Sequence, residues 1–578
     1  MSCDCSQNIE IKLNQGELSG LIEETFLKKQ SYYAFRGIPY ALPPLQELRF
    51  VSPRPHNGWD GVYEAHETKP TCVQFNSRMR NNEPFGLSGK EDCLYLSVFT
   101  PNLTGSRAII VFDFHDYFRT GFNGTKTYSP DFFIEEDVIS VYISHRLSIF
   151  GYLSTQDDVI PGNAGVKDFI LGLRWIQENI DKFGGDPKRV TVMGSNGAAD
   201  MVNLLLYSEK AKGLFSGVTI QSGSIMEAKY FPKNPREIAF RVGEVLNITA
   251  DDSATLLEEL KNVEVEKLIS MEHLVIDDEE IKSQQVSVLP FSPTLEHDHE
   301  DAVIKLLPES AHIVNDVPTI IGYNSREGID FCSHYLLDPK LYEAVMYDLL
   351  VHFPIRTNYR FNITSPIYEK AVEEVKQYYF TNGEISLNNL LEYTVFIADV
   401  IRVYAAYYAV GRLASEAKSP VYYYVFDFGG SFNENMEGIS KYSRYSLGNR
   451  GATAADELCY TLLCSRIHRN YKEINDLPSE QREMKVLKRM VRLWTNFAKT
   501  GDPTPRRVKD HILGELIWRP ANGDGGDGLP YLHVSRKLEM KLGPFAERMK
   551  FWDEFLARYS LRAVDGLVGG ADAHRDEL

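Results

Sequence analysis

The chain has 578 residues and a formal net charge of −18, with 43% hydrophobic and 25% charged residues. These values are ordinary for a globular protein, so they exclude a fibrous or largely disordered chain. The acidic balance, without a dense run of Lys or Arg, disfavours nucleic acids and anionic membrane surfaces as partners. We therefore expect no nucleic-acid partner, and the length allows one large domain.

The predicted elements of the first half alternate between buried strands and helices. Apolar runs predict strands in RAIIVFDF from Arg107, DVISVYISHRL from Asp137, RVTVMG from Arg189 and FSGVTIQSG from Phe215. Between them, DFILGLRWIQENIDKFGGDP has apolar residues at intervals of three and four and ends in glycines and a proline, as a helix does. This alternation predicts an α/β fold with a large, mostly parallel central sheet and helices on both faces.

The second half is predicted to be mostly helical. Its most apolar stretch, LLEYTVFIADVIRVYAAYYAVGRL, carries Glu392, Asp399 and Arg402, which predicts a buried or amphipathic helix and no membrane span. The segments SEQREMKVLKRMVRLWTNFAKTGDP and PFAERMKFWDEFLARY are also predicted helices, and the second has an apolar stripe typical of core. The periodicity then ends, so we expect one domain over 1–562 and a flexible C-terminal tail over 563–578.

Seven motifs spread along nearly the whole chain carry a family resemblance. They are FRGIPYALPPLQELRF, KEDCLYLSVFTP, GNAGVKDFILGLRWIQENIDKFGGDPKRVTVMG, IQSGS, IIGYNSREG, ADELCY and LWTNFAKTGDP. In this order and spacing they resemble the type-B carboxylesterase and cholinesterase family, and most of all its insect α-esterase branch. The resemblance implies the α/β-hydrolase fold. It also implies a disulfide between Cys72 and Cys93, where the family closes its first loop.

The family hydrolyses esters with a serine in a G-x-S-x-G turn between strand and helix, a histidine base and an acidic residue. Here the turn reads GSNGA, which puts Asn196 at the nucleophile position. The stretch GATAADEL puts Ala454 at the histidine position, whereas Glu327 in GYNSREG matches the acid. An amide nitrogen cannot attack a carbonyl and a methyl group cannot carry a proton. Ser195 is one residue early, so its hydroxyl is expected to point away from the gorge.

The family's oxyanion hole is altered as well. It uses backbone N–H groups of an H-G-G-G run, where the absence of side chains lets a substrate approach the main chain. This chain reads HDYF, with Asp116, Tyr117 and Phe118 after His115. Gly197 still offers one N–H group. The resemblance therefore implies a catalytically inactive member, in which nucleophile, base and most of the oxyanion hole are missing.

Three functions fit such a protein. The first is binding or scaffolding of a protein partner, and the second is binding of a small lipophilic ligand in the remnant gorge around Asn196, Glu327 and Ala454. The third is a slow carboxylic ester hydrolase with a non-standard site. The C-terminal helices, which in relatives often contribute to a dimer, favour a homodimer as one arrangement. No cofactor or metal ion is expected, because NGDGGDG at 522–528 lacks the ligand spacing of a calcium loop.

Two sets of signals disagree on the compartment. The opening MSCDCSQNIEIKLNQG has no cationic segment followed by an apolar one, which favours the cytoplasm. The alternative is the ER lumen or secretion, because the chain ends in HRDEL and has four N-x-[ST] sequons. The sequons are at Asn102, Asn123, Asn247 and Asn362.

Overall fold

The computed structural model describes residues 8–75, 86–121, 124–286, 288–347, 349–476, 482–506, 510–523 and 528–570. A sheet of 13 strands runs through this part of the chain. The strands are β1 (Asn8–Leu13), β2 (Gly16–Glu24), β3 (Ser31–Pro39), β4 (Val62–Glu64), β5 (Tyr95–Thr100), β6 (Arg107–Asp113), β7 (Ile139–Ile143), β8 (Gly185–Ser195), β9 (Gly217–Gln221), β10 (Thr319–Asn324), β11 (Val421–Phe426), β12 (Pro530–Val534) and β13 (Leu538–Leu542).

The strand order is β1-β2-β3-β5-β7-β6-β8-β9-β10-β11-β12-β13, with β4 beside β2. From β7 to β12 in this order, neighbouring strands are parallel. The strands β1, β2, β3, β5 and β13 pair antiparallel at the two edges. The sheet is therefore mixed, and the predicted parallel arrangement holds for its centre, where strands covered on both faces read as continuous apolar runs.

Helices cover both faces of the sheet. Because side chains alternate along a strand, Ile109 and Val111 of β6 lie in one hydrophobic core, and Ile110 and Phe112 lie in a second core on the opposite face. The helices used below are α1 (Ala164–Asn179), α2 (Gly197–Leu205), α3 (Leu390–Ala398), α4 (Tyr404–Glu416), α5 (Arg482–Thr500) and α6 (Ala546–Ser560). Others are Gly124–Thr127, Asp131–Ile134, Ser148–Tyr152, Pro235–Val245, Ser253–Lys261, Val265–Ser270, Asp278–Gln284, Gly328–Phe331, Ser333–Leu337, Glu343–Tyr347, Pro366–Tyr379, Glu434–Tyr442 and His468–Asn475.

A continuous helical run of 30 residues, Leu387–Glu416, contains α3, a π-helical stretch at Asp399–Val403, and α4. By length and composition it could cross a membrane, but 67% of its most apolar window is buried inside the protein. Such burial is typical of a core helix, as the sequence predicted for this segment. The π-helical stretch matters below, because π-helical turns often lie at functional sites.

The C-terminal segment is packed further than the sequence predicted. A flexible tail was expected from residue 563, yet Leu567–Val568 pairs in parallel with Arg360–Phe361, and Val568 is fully buried. Two apolar residues are too short a run to produce a periodic pattern in the sequence. The packed chain reaches at least residue 570, and 571–578, with HRDEL, lie outside the described residues.

Two disulfides lie in the part of the chain that the structure describes. Cys72 and Cys93 are joined as the resemblance implied, and a second bridge joins Cys459 to Cys464. The sequence did not predict the second bridge, because a separation of five residues has no distinctive signature.

The sequons differ in their surroundings. Asn102 and Asn247 are exposed, whereas Asn362 is partly buried and donates from Nδ2 to the Gly569 carbonyl oxygen at 3.1 Å. Asn123 lies outside the described residues. Glycosylation of the three described asparagines stays a prediction.

Candidate functional site

The turn from β8 into α2 has the geometry of a nucleophile elbow. Its tip is Asn196, with φ 56° and ψ −127°, a conformation that residues other than glycine rarely adopt. The neighbouring Gly194 and Gly197 are required by space: a Cβ at Gly194 would overlap the Ala198 carbonyl, and one at Gly197 would overlap the Tyr117 backbone nitrogen. The elbow backbone is thus retained, with an amide side chain at its tip.

The Asn196 side chain is held by a buried guanidinium. Arg402 Nη1 donates to Asn196 Oδ1 at 2.7 Å and also to the Ser222 carbonyl oxygen, while Arg402 Nη2 donates to the Tyr117 hydroxyl at 2.9 Å. Arg402 is fully buried and comes from the π-helical stretch between α3 and α4. An arginine stays charged in such a place, so a permanent cation stands against the tip of the elbow.

Further charged groups surround this cation. Glu227 forms an ion pair with Lys229 and lies 3.8 Å from Arg402. Lys229 Nζ lies 3.8 Å from the centre of the Tyr117 ring, a cation–π contact. Burial, reinforced by the Glu227 charge, raises the pKa of Asp200 well above its ordinary value. The charged side chains of Arg402, Glu227 and Lys229 thus form a dense ionic layer in front of Asn196.

Ser195 points to the other side of the turn, as expected. Its hydroxyl donates to Glu457 Oε1 at 3.2 Å, and Asn324 Nδ2 donates to Glu457 Oε2 at 2.6 Å. Burial, with the nearby Glu327 charge, raises the pKa of Glu457 to about 7. The Ser195 hydroxyl thus helps to hold the buried Glu457 carboxyl group in place.

The structure places Glu327 close to the segment that contains Ala454. Glu327 is fully buried and accepts hydrogen bonds from the Ser222 hydroxyl at 2.6 Å and the Asn324 backbone N–H at 2.7 Å. Thr453, next to Ala454, donates to the Glu327 carbonyl oxygen at 3.4 Å. Burial raises the pKa of Glu327, although Arg402 opposes this shift. The buried Ala454 methyl group offers no proton acceptor beside this acid.

The loop matching the family's oxyanion hole keeps a glycine-like path. Tyr117 and Phe118 have φ of 51° and 61°, in the left-handed region that suits glycine. Phe118 is fully buried, with ring centres 5.1 Å from Tyr152 and 5.4 Å from Tyr230. Asp116 is partly buried; burial and the Asp116 charge raise the pKa of Asp330 to about 7. The side chains of Tyr117 and Phe118 thus fill the space that the glycine run leaves open in the family.

An apolar cavity of about 270 Å³ lies behind the ionic layer. Glu227 and Lys229 form part of its wall, and α3 and the π-helical stretch supply Phe396, Ile397 and Val400. The remaining lining residues are Ala228, Tyr335, Val345, Leu349, Leu350, His352, Phe353, Tyr393 and Ile401.

Sequence reasoning missed Arg402 and Glu457 as parts of the site. Arg402 lies 206 residues from its partner Asn196, and no local pattern reports such a contact. The one available signal was a lone cation inside a strongly apolar helix, since such a charge must find a buried partner. Glu457 belongs to the ADELCY motif, but sequence spacing did not indicate that it faces Ser195.

The sheet and its elbow define an α/β-hydrolase. The solved structure of juvenile hormone esterase from Manduca sexta, with OTFP covalently attached, has a similar fold: the TM-score is 0.74 and the identity 22%, over 95% of this chain and 100% of that one. The chain belongs to the carboxylesterase family, which it matches over residues 7–552.

Relatives of similar length include insect esterases. Esterase FE4 from Myzus persicae is 28% identical over 549 residues, covering 93% of this chain and 91% of the relative. Juvenile hormone esterase from Tribolium castaneum is 26% identical over 578 residues, covering 93% and 92%.

Proposed function

We propose that this carboxylesterase-family protein does not hydrolyse esters and binds a small lipophilic molecule in the cavity behind Arg402. The observation that carries the proposal is the hydrogen bond from Arg402 to Asn196 at 2.7 Å, with the apolar cavity on the far side of the same ionic layer. The elbow therefore lacks an attacking group, while the fold still offers room for a ligand.

The magnitudes support the loss of hydrolysis. Removal of triad residues leaves a residual rate about 10³–10⁴-fold above water, and this remnant depends on the oxyanion hole and substrate binding. Here Tyr117 and Phe118 fill the loop of the hole, and Arg402 and Tyr117 occupy the approach to Asn196. Neither the triad nor the remnant is available.

The cavity suits a neutral lipophilic molecule with one polar group. Its walls are mainly aliphatic and aromatic, and its volume of about 270 Å³ is slightly below the roughly 300–1,000 Å³ of drug-sized ligand sites. Burial lowers the pKa of His352 to about 4, so this lining residue is neutral at physiological pH. His352 Nδ1 has no hydrogen-bond partner among the described atoms, and a ligand hydroxyl or carbonyl would supply one.

A ligand in this cavity is separated from the elbow by charged side chains. Glu227 and Lys229 line the cavity and contact Arg402 and Tyr117, which in turn contact Gly197 and Asn196. Even an ester bound here would be shielded from the elbow, so binding and hydrolysis are uncoupled.

Ligand binding is tested with the neutral fluorescent probe N-phenyl-1-naphthylamine. We expect saturable fluorescence enhancement with wild-type protein and a loss of affinity of about tenfold or more in Ile397→Trp, which fills the cavity. Val395→Trp, at a position 37% exposed on the same helix, is the matched control and should bind like wild type. Equal binding by all three proteins, or none by folded wild type, would contradict the proposal. Co-purification of a stoichiometric protein partner would then favour the scaffold hypothesis.

Hydrolysis is tested with 4-nitrophenyl acetate. We expect wild type to remain at the buffer rate. A variant combining Asn196→Ser, Ala454→His, Arg402→Met and glycines at 116–118 should form an acyl adduct visible by mass spectrometry, because the elbow backbone is intact and Arg402 and Tyr117 no longer occupy its approach. Turnover by wild type that persists in Asn196→Ala would favour the slow-hydrolase hypothesis. Circular dichroism of each variant separates lost chemistry from lost folding.

We also infer that the chain matures in an oxidising compartment, the ER lumen or outside the cell. Two disulfides support this alternative over the cytoplasm, where thiols stay reduced. Asn102 and Asn247 are exposed and open to glycosylation there. A mobility shift on endoglycosidase digestion of the native protein is expected. Homodimerisation through the C-terminal helices stays a proposal that sedimentation would test.

A further inference from the structure

A second polar cluster lies beside the elbow and takes no part in the proposed function. It consists of Asp113 at the end of β6, His115 two residues later, and His145 just after β7. All three side chains are buried, with residue exposures of 2%, 2% and 4%. The cluster was not predicted, because His145 lies 30 residues from His115 along the chain and only the pairing of β6 with β7 brings the two together.

The ring nitrogens of the two histidines and the carboxylate oxygens of Asp113 lie close together. His115 Nδ1 lies 2.9 Å from Asp113 Oδ2, His145 Nε2 lies 3.1 Å from Asp113 Oδ1, and the two ring nitrogens are 3.3 Å apart. The imidazole rings are nearly perpendicular, at 89°. This set presents two imidazoles and one carboxylate to a common centre.

The buried Asp113 carboxylate lies between two imidazole rings. His145 Nδ1 lies 3.0 Å from the Arg146 carbonyl oxygen, which can only accept, so Nδ1 carries a hydrogen and Nε2 is the ring nitrogen that faces Asp113. His115 Nδ1 faces the other carboxylate oxygen, while His115 Nε2 has no hydrogen-bond partner among the described atoms. A divalent ion that displaces the protons held in these contacts would meet two imidazole nitrogens and a carboxylate oxygen.

The spacing of these atoms suits a first-row divalent metal ion. Ligands about 2.0–2.1 Å from a tetrahedral zinc ion lie roughly 3.3 Å from one another, which matches the 3.3 Å between His115 Nδ1 and His145 Nε2. Two histidines and one carboxylate are a recurrent ligand set for zinc and for iron(II), and both leave positions open for water. The contact from Nδ1 of His145 to a carbonyl is the usual arrangement that orients a metal-binding histidine.

The surroundings provide the room and the path that an ion needs. A cavity of about 50 Å³ adjoins Asp113, His115 and His145, with the hydroxyl-bearing Ser97 and Ser144 in its wall. A water molecule needs about 10–15 Å³ of such volume, so the cavity can hold water ligands. Its lining extends to the partly buried Thr68 and Lys69, and thus towards the protein surface.

We propose that Asp113, His115 and His145 bind one divalent transition-metal ion. Bound there, the ion would join the end of β6 to the segment after β7. Because His115 directly precedes the Asp116–Phe118 loop, it would also hold this loop against the sheet. Zinc is the probe for the site.

The test uses the full chain without a histidine tag, freed of metal by EDTA and dialysed. Calorimetric titration with zinc sulfate should give one ion per chain with micromolar or tighter affinity. Asp113→Asn and His145→Gln should each weaken binding by about 100-fold or more, since removal of a mere hydrogen-bond partner of a ligand already costs about 10–100-fold. Cobalt(II) should develop the visible absorption of a four- or five-coordinate ion in wild type alone.

Two controls keep the result specific. His533→Gln removes a histidine that also faces a carboxylate, Asp427 at 3.0 Å, but outside the cluster, and should leave zinc binding unchanged. Replacement of Cys3 and Cys5 by serine excludes zinc binding by these two N-terminal thiols. The proposal is overturned if folded wild type binds no stoichiometric zinc, or if Asp113→Asn and His145→Gln, shown folded by circular dichroism, bind it like wild type.

Discussion

Two buried polar clusters lie at the ends of neighbouring strands. They differ in the positive charge that meets their buried acceptors. The cluster at Asn196 follows β8, and the cluster at Asp113 ends β6; Gly194 of β8 is the register partner of Asp113. At Asn196 the chain supplies its own cation, Arg402, fully buried and bonded to three acceptors. At Asp113 two imidazoles face a carboxylate without a fixed positive charge.

The difference shows how the same fold treats acceptors that water cannot reach. A buried acceptor is costly unless a donor or cation meets it. The guanidinium of Arg402, on a core helix, is a permanently charged donor to such acceptors and also closes the elbow. The imidazole–carboxylate set can take its positive charge from a proton or from a metal ion. The first region is therefore fixed by the sequence, and the second can respond to its surroundings.

The largest effect is expected from removing the internal cation. Arg402→Met leaves Glu227 and the acceptors at Asn196 and Ser222 buried without their partner, which typically destabilises a protein by about 3–5 kcal/mol. Urea unfolding at pH 7 measures the change. The matched control Arg469→Met removes a highly exposed arginine, paired with Glu473, and should leave the free energy of unfolding nearly unchanged. Equal costs would show that Arg402 does not balance the cluster.

The acidic side of the Asn196 cluster should make stability depend on pH. The pKa of Glu457 is raised from 4.5 to about 7, so between these values the folded protein holds a proton that the unfolded chain has lost. The contribution of Glu457 to the free energy of unfolding is therefore largest below pH 4.5 and falls by about 3 kcal/mol as the pH rises to 7. Glu457→Gln should flatten this part of the profile relative to wild type. Urea midpoints at five pH values measure it, with the exposed Glu473→Gln as control; parallel profiles for wild type and Glu457→Gln would contradict the assignment.

A smaller loss of stability should follow from removing one hydrogen-bond acceptor of Arg402. Tyr117→Phe removes the hydroxyl that accepts from Arg402 Nη2 at 2.9 Å while the ring stays in place under Lys229. A hydrogen bond to a charged group contributes about 1.5–3 kcal/mol, so we expect a loss of about 2 kcal/mol. Tyr442→Phe, at a position 66% exposed, is the control. An unchanged unfolding midpoint for Tyr117→Phe would indicate that Arg402 has another acceptor.

The smallest effect is expected at the second cluster in metal-free protein. In Asp113→Asn the amide has the shape of the carboxylate and can donate to His145 Nε2 and accept from His115 Nδ1, so stability should change by less than about 1 kcal/mol. Unfolding in EDTA measures this. A loss near that of Arg402→Met would remove the contrast between the two clusters.

The sequence was sufficient for the centre of the fold. Its apolar runs predicted the strands at Arg107, Asp137, Arg189 and Phe215 and the helix between them, because parallel strands and their covering helices are buried and leave strong patterns. The antiparallel edges were not predicted, since short, partly exposed strands such as Leu538–Leu542 have weak patterns.

The site was predictable where it depends on the backbone and unpredictable where it depends on distant partners. The resemblance located the elbow at Asn196 and the segments of Glu327 and Ala454. The partners Arg402 and Glu457 approach this turn from 206 and 262 residues away. Only the folded sheet brings them together, so no local spacing encodes those contacts.

Arg402 has one more consequence, for the synthesis of the chain. The 30 residues from Leu387 to Glu416 emerge from the ribosome before β12 and α6, and by composition they resemble a membrane anchor. For a chain that enters the ER, an arginine at the centre of such a segment adds about 2.5–3.5 kcal/mol to the free energy of lateral insertion by the translocon. The cation that closes the elbow in the finished protein thus also favours full passage of the nascent helix into the lumen.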